Sequence, residues 1–161
     1  MRRLRFLLAI LSLLCAGEAA AQAEPALSKG QTLYLPVYSH VYQGSFDRKG
    51  NADKLLLSAM ISIRNRDPKR AIRVTSARYY DTDGRLLREF VAQPRTIGPF
   101  GTIELFIERH DDSGGSGANF AVAWEADASV NPPALEAVHA ALEGGRAVMF
   151  TTTGSPIRTD N

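Results

Sequence analysis

Residues 110–120 read HDDSGGSGANF, and they set one imidazole, two carboxylates, two hydroxyls and an amide among three glycines. His110, Asp111, Asp112, Ser113, Ser116 and Asn119 are therefore candidate site residues, and four chemistries suit them. The segment DSGGS resembles a serine nucleophile loop, in which backbone amides beside the serine stabilise an oxyanion. That chemistry also needs a histidine base held by a buried acid; His40 is the only histidine well upstream, and no orienting aspartate is evident. Gly114 to Ala118 comes close to the nucleophile elbow G-x-S-x-G, which works only on a strand-to-helix turn. The flanking segments here read as strands, so the context fails. The oxygens of Asp111, Asp112, Ser113, Ser116 and Asn119 would suit a hard cation such as calcium, though their spacing matches no metal motif. The glycine backbone would also cradle an anion, without the lysine that follows in a phosphate loop. The reading that needs no missing partner is a polar connection between strands, its glycines permitting positive φ.

A second constellation lies in LYLPVYSHVY, residues 33–42. Strict alternation puts Leu33, Leu35, Val37 and Val41 on one face and Tyr34, Pro36, Tyr38, His40 and Tyr42 on the other. Three phenols and an imidazole on one side of a strand are suited to stacking on sugars or gripping a peptide. Pro36 within the run points to a sheet edge, where a partner strand can add. The competing reading buries these rings beneath a loop or beneath Tyr79 and Tyr80, as a second core layer. His40, His110 and His139 lack paired ligand spacing, so no metal or cofactor is expected. Asp81 and Asp83 start like a calcium loop, but position twelve would be Ala92, and an Asp83-Gly84 hairpin turn fits better.

These residues need elements to position them, and nearly every apolar run has a period of two. Leu57, Ala59, Ile61 and Ile63 share a face; AIRVTSARYYD is β-rich; Ile103, Leu105 and Ile107 alternate with Glu104 and Glu108; Phe120, Val122, Trp124 and Ala126 share another face. Turn signals fall at Asp67-Pro68, 81–85, 94–101 and Asn131-Pro132-Pro133, while 43–54 reads as a polar loop. Residues 134–143 fit either a short helix, through Leu135, Val138 and Leu142, or a strand entering a Gly144-Gly145 hairpin. Seven or eight such strands predict an all-β, immunoglobulin-like antiparallel β-sandwich in a single domain over 31–157, with a polar lead-in at 24–30 and a tail at 158–161.

Composition and address narrow the partners. Met1 to Arg5 is basic, Phe6 to Ala16 is apolar, and Ala21-Gln22-Ala23 supplies a cleavage pattern. Residues 1–23 are thus expected to be a signal peptide, and the apolar run falls short of the roughly 20 residues that span a bilayer. Soluble periplasmic export is expected ahead of lipid attachment at Cys15, because Leu14 stands where lipoprotein signals carry a small residue. Removal of the leader takes Arg2, Arg3, Arg5 and Glu18 from 19 basic and 17 acidic residues, leaving 16 of each. A formally neutral chain gives no argument for nucleic acid or an anionic membrane. The single cysteine leaves with the leader, so a core rather than disulfides must hold the fold. Nine basic residues between Arg64 and Arg95 face seven acidic ones between Glu104 and Glu136, which predicts neutralisation across neighbouring strands.

Taken together, LYLPVYSHVY, SIRNRDP, VTSARYYDTDGRLLREF, GGSGANFAVAW and NPPALEAV resemble the bacterial family known as domain of unknown function 3124. The resemblance spans about residues 30–157. It implies a small exported or lipid-anchored protein with no assigned activity, and places Gly114–Phe120 and Tyr38–His40 within the family pattern. His139 departs from it, an apolar residue being expected there. The expectation is a non-catalytic module that binds an envelope protein or glycan through the Tyr-rich strand and the glycine loop. The alternatives are a ligand-, cation- or substrate-binding site on 110–119, hydrolytic or not, and a structural component of an envelope assembly.

Overall fold

The computed structural model describes residues 26–158. The expected signal peptide, Cys15 and the final three residues lie outside that range. The described chain holds twelve strands and no helix. In order they are β1 (Ser28–Pro36), β2 (His40–Phe46), β3 (Ala52–Leu56), β4 (Ser58–Arg64), β5 (Ile72–Tyr80) and β6 (Leu86–Glu89). They continue with β7 (Arg95–Ile97), β8 (Thr102–Ile107), β9 (Asn119–Val130), β10 (Ala134–Glu143), β11 (Arg146–Thr153) and β12 (Ser155–Pro156). The expected seven or eight strands become twelve because long runs break where the chain changes sheets and because short strands pair inside segments that read as turns. β1 starts at Ser28, so the lead-in is partly strand. β7 lies inside 94–101.

Every pairing is antiparallel. One sheet runs β12-β1-β9-β5-β6, with β7 also on β5; a second runs β11-β10-β4-β8; β2 and β3 form a two-stranded sheet that, among the described residues, pairs with no other strand. The alternation read from the sequence sets which side chains face inward. Leu33 and Leu35 of β1, Ile72, Val74 and Tyr79 of β5, and Phe120, Val122 and Trp124 of β9 share one buried cluster with Ile61 and Ile63 of β4, Ile103 and Leu105 of β8, and Leu135 of β10. The two larger sheets thus bury their inner faces in one core, a sandwich-like arrangement. Each such aliphatic side chain contributes about 2 kcal/mol when withdrawn from water.

Residues 134–143 form strand β10, not a helix. The helical set fails because Val138 is only half-buried and Leu142 is 73% exposed, whereas Leu135, Ala137, His139 and Ala141 are buried at a period of two. Gly144 and Gly145 close the β10–β11 hairpin with φ of 54° and 75°, the paired left-handed conformation that a tight hairpin turn requires. The charge segments do meet across strands: Arg73 of β5 pairs with Glu125 of β9, and Arg64 of β4 with Glu136 of β10. Arg78 and Arg85 instead find Glu89 and Asp81 within their own segment.

Candidate functional site

The Tyr-rich run is not one strand. After Pro36, residues 37–39 leave the ladder; Val37 N–H still bonds the Ala118 carbonyl at 2.9 Å, and the chain then turns out of the six-stranded sheet into the β2–β3 hairpin. The turn scatters the expected face. Tyr34 stays on the outer side of β1, opposite buried Leu33 and Leu35, and is 39% exposed. Tyr38 swings inward and meets His139 and Phe150 edge-on, each 5.7 Å away. His40 is buried, and of the three tyrosines only Tyr42 is more than half exposed. Pro36 ends a strand flanked by β9 on one side and by two-residue β12 on the other, so β1 is close to an edge without being one.

What turns the chain is the glycine loop. Ser39 donates its main-chain N–H to the Gly115 carbonyl at 3.1 Å and its hydroxyl to the same oxygen at 3.0 Å. On the loop's other flank Thr82, in the β5–β6 turn, donates its N–H and its hydroxyl to the Gly114 carbonyl at 3.0 and 3.1 Å. Its oxygen accepts the Gly117 N–H at 3.0 Å. The glycines serve this close packing. A Cβ on Gly114 would lie 1.9 Å from the buried Tyr79 hydroxyl, and one on Gly115, at φ 77°, would lie 2.4 Å from the Thr82 Oγ1. Phosphate or oxyanion recognition would need free amides, whereas the Gly115 N–H is taken by the Asp112 carbonyl and the Gly117 N–H by Thr82. The loop is a stitched connection between three parts of the fold.

Its polar side chains follow from this. Ser113 donates its hydroxyl to the Asp111 carboxylate in a local turn. His110 and Asp112 are exposed, Ser116 is half-buried, and Asn119 opens β9 opposite Pro36 and Tyr80. Beneath the loop, burial pushes the Tyr79 phenol up to about 12, with the Asp111 charge adding to the effect. Burial, followed by the Lys54 ammonium, holds the His40 imidazole below its ordinary value, while the Asp112 carboxylate pulls the other way. The segment that carries His40 is tied to the loop through Ser39, whose hydroxyl reaches the Asp112 and Gly115 carbonyls. Neither ring nitrogen of His40 has a hydrogen-bond partner. His139 lies elsewhere, its ring stacked on Phe150 at 4.6 Å and its Nε2 accepting the Tyr38 N–H. It is a packing residue, as its apolar surroundings suggest, and burial brings it down to about 4. Among the described residues, no group of three or more His, Cys, Asp or Glu side chains is placed to hold a metal ion.

The surface that stands out is the segment expected to be a polar loop. Residues 43–54 continue β2 through Phe46, turn at 47–51 and return as β3. The base of this hairpin packs through Leu55 and half-buried Val41 against Ala141 and Phe150 of the β10–β11 hairpin. From Tyr42 outward both strands are solvent-exposed except for half-buried Ala52. Tyr42 pairs with Lys54 and Phe46 with Ala52, and these four line an open groove of about 470 Å³ closed by Gly50 and Asn51. Tyr42 is 58% and Phe46 75% exposed. His40 sits two pairs inward on the same face, its ring edge-on to Tyr42 at 5.1 Å. Phe46, Asn51 and Lys54 were invisible as site residues because a bulge between Gln43 and Phe46 interrupts the alternation. The remaining signal is Asp47-Arg48-Lys49-Gly50-Asn51, a turn flanked by residues able to pair.

The family model described as protein of unknown function (DUF3124) matches residues 30–157, and the chain belongs to that family. No curated protein matches. Among solved structures, a Thermotoga maritima protein, solved as "Crystal Structure of Thermotoga maritima 1070", is similar at 11% identity and a TM-score of 0.42, over 78% of this chain and 92% of that one.

Proposed function

We propose that this member of the DUF3124 family is a non-catalytic binding module, exported to the periplasm, whose recognition element is the protruding β2–β3 hairpin. The observation that carries the reading is the exposure of Tyr42 and Phe46 on a two-stranded sheet that, among the described residues, pairs with no other strand. An isolated hairpin is marginal in water, and large aromatic rings held in solvent on one contribute little to it. Aromatic rings with polar neighbours are what partner surfaces use. The glycine loop supports the site from behind, fixing the corner from which the hairpin springs. The leader, Met1 to Ala23, supports export, and the partner is an envelope protein or glycan.

The test is a paired substitution. Tyr42→Ala/Phe46→Ala leaves the melting temperature within about 2 °C, since neither ring belongs to the core, and abolishes retention of the protein on isolated envelope material. Unchanged retention by a folded double variant contradicts the reading.

A further inference from the structure

The charges around the groove narrow its ligand. Asp47 is occupied by its own turn: its carboxylate accepts the main-chain N–H of Lys49 at 2.7 Å and of Asn51 at 2.8 Å, and the Asn51 side-chain amide at 3.1 Å. Those bonds hold its carboxyl below the usual range. Asp53 pairs with Gln43 on the opposite face of the hairpin, away from Tyr42 and Lys54. None of the ion pairs among the described residues includes Arg48, Lys49 or Lys54. The groove therefore presents two aromatic faces and an unpaired ammonium, with two more unpaired cations at the turn that closes it.

Resting on the reading above, we infer that the groove takes an anionic oligosaccharide, one carrying ring carboxylates. The apolar C–H face of one sugar stacks on Tyr42 or Phe46, where flat, amphipathic rings favour it. Its carboxylate meets the Lys54 ammonium, and the next along the chain meets Arg48 or Lys49, charge-assisted contacts stronger than neutral ones. A groove of about 470 Å³ falls in the span of small-ligand sites, and its openness lets a polymer run through.

The mature chain, titrated calorimetrically with a hexameric oligouronate and with a neutral hexasaccharide, tests this. The oligouronate binds at least tenfold tighter than the neutral sugar, and Lys54→Gln removes most of that preference and flattens its salt dependence. Tyr42→Ala weakens both sugars while the circular-dichroism melt stays unchanged. Equal binding of the two sugars, no binding of either, an unaltered Lys54→Gln variant, or binding to phosphatidylglycerol vesicles instead overturns the inference. Should the oligouronate fail while Tyr42→Ala/Phe46→Ala still abolishes envelope retention, the ligand class is wrong and the binding module stands. Should that double variant retain envelope material, both fall.

Discussion

The Gly114 Cα lies so close above the Tyr79 ring that a single added carbon would stand 1.9 Å from the phenolic oxygen and 2.7 Å from Cζ. Tyr79 is buried and stacked on Phe120 at 5.1 Å, so it has no room to withdraw. A loop rich in reactive residues is thus pressed against an aromatic pillar of the core, and its glycines answer to packing.

Gly114→Ala accordingly destabilises by about 3 kcal/mol, the order expected of overpacking a buried site. Tyr79→Phe removes a hydroxyl that has no hydrogen-bond partner, and is close to neutral. Because the hydroxyl is the nearest clash, the double variant is more stable than the sum of the two by at least about 1 kcal/mol in urea denaturation. Strict additivity would show that the loop yields rather than presses.

Acid destabilises the fold through His139 before the carboxylates titrate. The folded imidazole, brought down to about 4, stays neutral where an unfolded one, near 6.5, takes up a proton. The unfolded chain therefore binds more protons between those values, and stability is complete above about pH 6.5 and falls as pH drops towards 4, by up to roughly 3 kcal/mol. His139→Phe keeps the stacking on Phe150 and abolishes most of that slope. The remainder comes from His40, whose folded value is lowered in the same direction. An unchanged slope in urea melts at stepped pH would place the acid sensitivity elsewhere.

The surface ion pair between β5 and β9 is a weaker matter. Arg73 and Glu125 are each about half-exposed, so Arg73→Ala changes stability by less than about 1 kcal/mol despite close contact. A larger loss by thermal melting would mean that cross-strand neutralisation holds the sheets, and not the core.

Much of the fold was legible because burial at a period of two is a local property. Ile103, Leu105 and Ile107, or Phe120, Val122 and Trp124, announce their inner face without reference to any other strand, and the structure buries all six. The Tyr34–Tyr42 face was misjudged for the opposite reason. Whether a strand continues past Pro36 is decided by Ser39 bonding to Gly115, 76 residues away, and no pattern within LYLPVYSHVY carries that information. Phe46 was missed because it sits alone among polar residues and past a bulge. The helix over 134–143 is a rival because the segment fits two periods, Leu135, Val138 and Leu142 the helical one and Leu135, Ala137, His139 and Ala141 the strand one; the pairing of β10 with β4 and β11 resolves them.

The most direct test is a hydrogen-exchange footprint of the protein on isolated envelope material. Slowed exchange concentrated in residues 42–54, with the outer faces of both larger sheets unchanged, is the expected result. Protection centred instead on Tyr34, on residues 110–119 or on the outer face of β8 would move recognition off the hairpin.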